Sequence, residues 1–203
     1  MLLSLVICHV PGRERKLERL LKRIEPDRHL IHLHVEQGRY YSTIGECRQN
    51  AIEQVDSEYL FFVDDDDLLT EGAIPKIVEA LDERPDCLAI KEIRYEDGIF
   101  RGYSHHDMAC AAPGKYRLTD LEWRFDRYIN HVCPTRTEIV KHIGFDIHKN
   151  RGEDGDYSER LRASGRLKTQ VVIEEPIYEY WYRTEALRDH TNNYEMKSLG
   201  MAD

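Results

Sequence analysis

The sequence predicts an α/β fold, a mostly parallel central sheet flanked by helices, from three observations. Short apolar runs alternate with amphipathic stretches through the first half of the chain. Gly and Pro punctuate that alternation at the expected joints. The length of 203 residues suits one domain, and a composition 41% hydrophobic and 33% charged can build a core while staying globular and soluble.

The elements follow in order. "LLSLVIC" (2–8) is short and apolar and reads as a buried first strand rather than a leader, since it has neither a basic start nor a small-residue cleavage site. Leu17, Leu20, Leu21 and Ile24 then recur with the i, i+3, i+4, i+7 spacing of an amphipathic helix, which Pro26 ends. "LIHLHV" (30–35) is a second strand closed by Gly38, residues 45–55 a second helix, and "EYLFFV" a third strand. A helix over 72–83 and a strand over 87–95 complete this half. Farther on, "EDG" marks a hairpin turn, "SHHDMACAAPG" a loop and "LTDLEWRFDRYI" a short helix. Residues 153–164 form a helix with an acidic entry and Gly165 as its C-terminal cap. Two strands, 167–174 and 177–183, close the chain, and the tail from about Asn192 is weakly ordered.

Charge and cysteine usage narrow the function classes. A net charge of −9 weighs against broad nucleic-acid binding, which depends on Lys and Arg neutralising phosphates. The five cysteines are odd in number and contain no CxxC pair, which fits neither a disulfide framework nor a cysteine zinc site and favours a reducing, cytoplasmic setting. No apolar run is long enough to span a bilayer.

The chemistry concentrates in "EYLFFVDDDDLLTEG", where Asp64, Asp65, Asp66 and Asp67 follow directly on the third strand. Ligands of open α/β sheets bind at the carboxyl ends of the strands, and hard cations such as Mg²⁺ or Mn²⁺ prefer carboxylate oxygens. One helix cap needs one aspartate, so capping accounts for only part of the run. Leu68 stands where an EF-hand loop needs a ligand, which excludes that motif. A second acidic station, "NRGEDGDYSERL", sets Glu153 and Asp154 at a helix start, suited either to taking a proton or simply to complementing the helix dipole. His105, His106 and Asp107 in "SHHDM" lack metal-ligand spacing, because adjacent side chains diverge.

Taken together, "GECRQNAIEQVDSEYLFFVDDDDLL", "GEDGDYSERL" and "PIYEYWYR" resemble, in order and spacing, the family 2 glycosyltransferases of GT-A fold, over about residues 2–183. The resemblance implies one Rossmann-like GT-A domain over 1–203 with small antiparallel additions in its C-terminal half: a nucleotide-sugar-binding half (1–95), an acceptor-binding half (96–190) and a tail (191–203). Asp64 and Asp66 match the two aspartates of the DxD motif, with Asp66 as a direct metal ligand and Asp64 near the ribose or the metal. Asp65 and Asp67 leave the register open, Asp65 toward the donor and Asp67 toward the acceptor. Asp154 matches the catalytic base, and Glu153 shapes the acceptor pocket beside it. Val10, Pro11 and Arg13 fall in the first nucleotide-contacting loop, Glu36 where an acid meets the nucleotide base, and Arg48 on the helix leading to DxD. "YINHVCPTR" resembles a stretch preceding the acidic motif, so His131 either lines the acceptor site or packs within a loop. "YRTE" puts Glu185 where such enzymes often supply a metal-binding histidine, and His190 follows five residues later.

The implied activity is metal-dependent, inverting transfer of a sugar from a nucleotide diphosphate to a hydroxyl, with Mn²⁺ or Mg²⁺ as cofactor. The acceptor class stays open among glycan, protein, small molecule and modified nucleic-acid base. A nucleotidyltransferase shares the sheet and acidic metal site, and a non-catalytic nucleotide-binding module of the same fold is a further alternative. A phosphatase of the haloacid dehalogenase type fits less well, because two strand–helix units precede the aspartate run here.

Overall fold

The computed structural model describes residues 2–38, 43–119 and 122–184. The apolar first run forms β1 (Leu3–His9), buried along its whole length, with β2 (His32–Gln37) and β3 (Tyr59–Phe62) parallel on either side. The crossovers are α1 (Glu14–Ile24), which buries Leu20 and Ile24, and α2 (Ile44–Glu53), capped by the Thr43 hydroxyl accepting from the Glu46 amide at 3.0 Å. Because these strands are parallel, their carboxyl ends share one edge of the sheet. Cys8 pairs with Glu36 there, and the aspartate run leaves β3 beside them.

After the run come the two-residue strand β4 (Leu68–Leu69), α3 (Ala73–Leu81) and the long β5 (Cys87–Glu96). β5 is the pivot of the second half: β6 (Ile99–His106) runs antiparallel to it and β10 (Gln170–Tyr182) parallel. β8 (Trp123–Arg127) lies parallel to β6, and β7 (Gly114–Arg117) antiparallel to β8. The short β9 (Thr135–Arg136) joins β3 to β5, making a ten-stranded sheet among the described residues. The helices α4 (Thr137–Ile143) and α5 (Glu153–Ser164) complete the helical layer. Gly165 closes α5 in the left-handed conformation expected of it.

Three sequence expectations are corrected. Trp123–Arg127 of "LTDLEWRFDRYI" is strand, not helix: Trp123, Phe125 and Arg127 alternate, and pairing with β6 and β7 satisfies a backbone that a helix would have satisfied internally. Ser104 to His106 of the supposed loop continue β6. The two last strands are one, β10, because Pro176 shifts the register without ending the ladder. The five cysteines are free thiols, four of them buried.

The second half carries a buried charge cluster that makes a pH test possible. Glu92 on β5 lies 3.1 Å from His106 Nε2 and 3.5 Å from Arg94 Nη1. Burial opposes its ionisation, but His106, then Arg94 and Ser104, outweigh burial and bring its pKa down to about 2. A carboxylate with a depressed native pKa stabilises the fold fully above its unfolded value of about 4.3, and that stability is lost as pH falls toward 2. Glu92→Gln removes this contribution, so urea titrations are expected to show a stability gap between parent and variant at neutral pH that narrows as pH falls from about 5 to about 2.

Candidate active site

The four aspartates lie in the turn that follows β3, where the Asp67 amide donates to the Asp64 carbonyl at 3.1 Å, and they divide in pairs. The Asp64 and Asp66 side chains stay 31% and 29% exposed, whereas Asp65 is 1% exposed and Asp67 is buried. Asp65 turns back under the β1 loop. Its Oδ2 accepts from the Val10 amide at 2.8 Å and lies 2.9 Å from His9 Nδ1, and its Oδ1 accepts from Arg13 at 3.0 Å. Asp67 turns toward β10 and accepts from the Tyr178 hydroxyl and the Trp181 amide, each at 2.8 Å. The Tyr178 hydroxyl also accepts from the Asp64 amide at 3.1 Å, so one phenol ties the run to the last strand.

Asp64 faces α2 and α5. Its Oδ1 accepts from Arg48 Nη2 at 2.9 Å, and its Oδ2 lies 3.5 Å from His131 Nε2. The same Arg48 nitrogen is 3.4 Å from Glu153 Oε1, so one buried guanidinium joins the aspartate run to the second acidic station. The Phe62 and Phe145 rings flank that guanidinium at 5.6 and 5.7 Å. Close packing fixes the approach: a Cβ on Gly45 would meet the Asp146 carbonyl oxygen at 2.0 Å, and the Gly45 amide donates to the Lys149 carbonyl at 3.0 Å. The start of α2 is thereby pressed onto the loop that leads into α5.

The electrostatics differ along the run. Burial opposes the charge on Asp64, but Arg48 and then His131 outweigh it and hold its pKa below the ordinary carboxylate range. Burial raises Asp66 first, and Asp65 and Asp64 add to it against the pull of Arg13. Asp67 is raised well above the usual range by burial, with Asp66 and Asp64 adding to it. Arg13 Nη1 stands 3.1 Å from Asp66 Oδ2. Beyond Asp66 opens a crevice of about 370 Å³ lined by Lys16, Arg19, Trp181, Tyr182 and Arg183.

A hard divalent cation fits Asp64 and Asp66 as a partial ligand set: both are accessible carboxylates on one loop, and the raised pKa of Asp66 marks a position where added positive charge relieves repulsion. Among the described residues no group of three or more His, Cys, Asp or Glu is arranged to hold a metal, so the remaining ligands would be substrate oxygens, water or residues beyond those described. Glu185 and His190 lie outside the described residues.

The other sequence candidates are placed as follows. Glu36 ends β2 beside Cys8, with His34 Nε2 at 3.1 Å and Gln54 Nε2 at 3.0 Å from its Oε2. Val10, Pro11 and Arg13 form the loop bound by Asp65. Glu153 is buried, and Asp154 is partly exposed at the start of α5. His131 is buried against Asp64 and the Phe62 ring. His106 points into the sheet at Glu92, so the "SHHDM" histidines do not converge. Sequence reasoning missed His9, Tyr178 and Trp181 as supports of the run. Their aromatic or polar identity was visible, but their partners lie far away in the chain.

The comparisons with known proteins agree with this architecture. The model of glycosyl transferase family 2 matches residues 15–144, and the chain belongs to that family. It is 23% identical over 147 residues to minor teichoic acid biosynthesis protein GgaB of Bacillus subtilis strain 168, a match covering 70% of this chain and 16% of that protein. S. aureus TarS 1–349 in complex with UDP-GlcNAc superposes with a TM-score of 0.65 at 18% identity, covering 91% of this chain and 59% of that one. A second structure of S. aureus TarS 1–349 gives a TM-score of 0.63 at 16% identity, covering 89% of this chain and 60% of that one. At such identities the structures share the fold, and the chain spans less than two thirds of each of these relatives. No helix among the described residues is long and apolar enough to cross a membrane.

Arg48 gives this site a measurable stability role. Arg48→Met leaves Asp64 and Glu153 facing each other without their shared cation, and chemical denaturation is expected to show a loss of about 3–5 kcal/mol.

Proposed function

We propose that the chain is a metal-dependent, inverting glycosyltransferase that moves a sugar from a nucleotide diphosphate donor to a hydroxyl acceptor. The observation that carries this reading is the Arg48 bridge, whose Nη2 lies 2.9 Å from Asp64 and 3.4 Å from Glu153 and so ties the aspartate run to the start of α5. Residues 1–95 then form the donor half and 96–190 the acceptor half. Family membership supports glycosyl transfer, and the UDP-GlcNAc bound by TarS makes a uridine diphosphate sugar the first donor to test.

In this reading Asp64 and Asp66 fill the DxD positions, and Asp65 and Asp67 hold the loop that presents them. Asp66 and Asp64 would hold Mn²⁺ or Mg²⁺, which supplies charge stabilisation for the departing diphosphate. Arg13 and Lys16, 3.1 and 4.0 Å from Asp66, add positive charge on the same side. Glu36 and the Val10–Arg13 loop take the nucleoside end of the donor. Asp154, at the open start of α5, accepts the proton of the attacking hydroxyl. The acceptor oxygen bonds to the anomeric carbon as the bond to the diphosphate oxygen breaks, and the electron pair leaves with the nucleotide. One displacement inverts the anomeric centre. Glu153 stays paired with Arg48 and shapes the acceptor side together with His131.

Asp154→Asn is expected to lower transfer by about 10²–10⁴-fold while nucleotide-sugar binding persists; turnover at the parent rate removes Asp154 from the role of base. Asp66→Ala is expected to abolish the gain in donor affinity that Mn²⁺ gives the parent protein, as read by calorimetry with the metal and with chelator.

A further inference from the structure

Each partly exposed carboxylate of the aspartate run carries an arginine, and the two arginines are held very differently. Arg48, on Asp64, has a side chain 4% exposed, flanked by the Phe62 and Phe145 rings and shared with Glu153. Arg13, on Asp66, has a side chain 22% exposed and stands immediately before α1. Its Nη1 alone serves two aspartates, Asp65 Oδ1 at 3.0 Å and Asp66 Oδ2 at 3.1 Å.

The two aspartates depend on that nitrogen unequally. Asp65 also accepts from the Val10 amide at 2.8 Å and lies 2.9 Å from His9 Nδ1, so it keeps two partners when Arg13 leaves. Asp66 has Arg13 and, 4.0 Å away, Lys16 Nζ as its ion pairs among the described residues. The loop backbone does not rely on the Arg13 side chain. Asp65 fixes the Val10 amide, and the Arg13 amide donates to the Val10 carbonyl at 3.1 Å. The guanidinium can therefore change partners while the loop that carries it stays in place.

We propose that Arg13 is a releasable counter-ion of Asp66, which yields this carboxylate to a divalent cation and turns onto the diphosphate of the donor. A doubly charged cation on Asp66 meets the guanidinium a few ångströms away, where like charges repel. Arginine cannot lose its proton to relieve that repulsion, so the side chain has to move. The partner that suits it is the anion arriving with the cation, since a guanidinium grips phosphate oxygens through two N–H groups. Arg13 thus opposes the cation when the donor is absent and favours the pair when both are present. Arg48 cannot play this part, because leaving Asp64 would also leave the buried Glu153 unpaired. That a divalent cation and a nucleotide diphosphate meet at Asp66 rests on the transferase reading; the exchange at Arg13 is the added step.

The test titrates the full chain with Mn²⁺, read by loss of the paramagnetic resonance signal of the free ion, and with UDP by calorimetry with and without Mn²⁺. Arg13→Gln is expected to bind Mn²⁺ alone about tenfold more tightly than the parent and, once loaded with Mn²⁺, to bind UDP about tenfold more weakly. A gain in metal affinity is not what a damaged fold produces. Lys16→Gln, farther from Asp66, is expected to change Mn²⁺ affinity by less than about threefold. Should Arg13→Gln fail to fold, Arg13→Lys keeps the charge without the fork and is expected to gain about threefold in the same titration. Unchanged or weaker Mn²⁺ binding in the Arg13 variants, parental UDP affinity in their Mn²⁺-loaded form, or an equal gain from Lys16→Gln overturns the proposal and leaves the transferase reading in place. No Mn²⁺ binding by parent or variants, with or without UDP, removes the metal from that reading and the exchange at Arg13 with it.

Discussion

Arg48 sits where two carboxylates from distant parts of the chain would otherwise meet unscreened. Its guanidinium is buried between aromatic rings, an environment tolerable for a charge only when opposite charge is close. Asp64 and Glu153 supply that charge, and each in turn depends on Arg48. The arrangement of β3, α2 and α5 is therefore a charge balance as much as a packing solution. Gly45 lets α2 come close enough for the balance to be struck.

The aspartate run extends the same logic by dividing its labour. The turn after β3, closed by the Asp67 amide donating to the Asp64 carbonyl at 3.1 Å, leaves Asp64 and Asp66 partly exposed and turns Asp65 and Asp67 into the protein. The inward pair is spent on structure. Asp65 gathers His9, the Val10 amide and Arg13, and Asp67 gathers Tyr178 and the Trp181 amide. Four like charges can stand together because two are neutralised or hydrogen-bonded on opposite sides of the loop that carries the others.

Much of the first half was legible in the sequence because its signals are local. Apolar runs, one helical stripe and a few turn residues were enough to order β1 through α3, and the position of the run after β3 located the crevice. The second half was read less well, since β6, β8 and β7 are held by pairing between strands rather than by any strong pattern of their own. Trp123 and Phe125 look alike in a helix and in a strand until their partners Gly102 and Ser104 are known. The site shows the same split. The acidic residues stood out by composition, whereas Tyr178 and Trp181 gave no sign that their partner was Asp67. The interior or exterior sense of each aspartate needed the fold.

The clamp of Tyr178 and Trp181 on Asp67 also sets an order of events during synthesis. Asp67 leaves the ribosome long before residues 178–181 do, so the nascent first half carries the aspartate loop without its closing partners. Its carboxylate stays hydrated at that stage, and the Asp64 amide lacks the phenol that receives it. The crevice acquires its final outline only when β10 docks beside β5, which makes the most acidic part of the protein among the last to be finished.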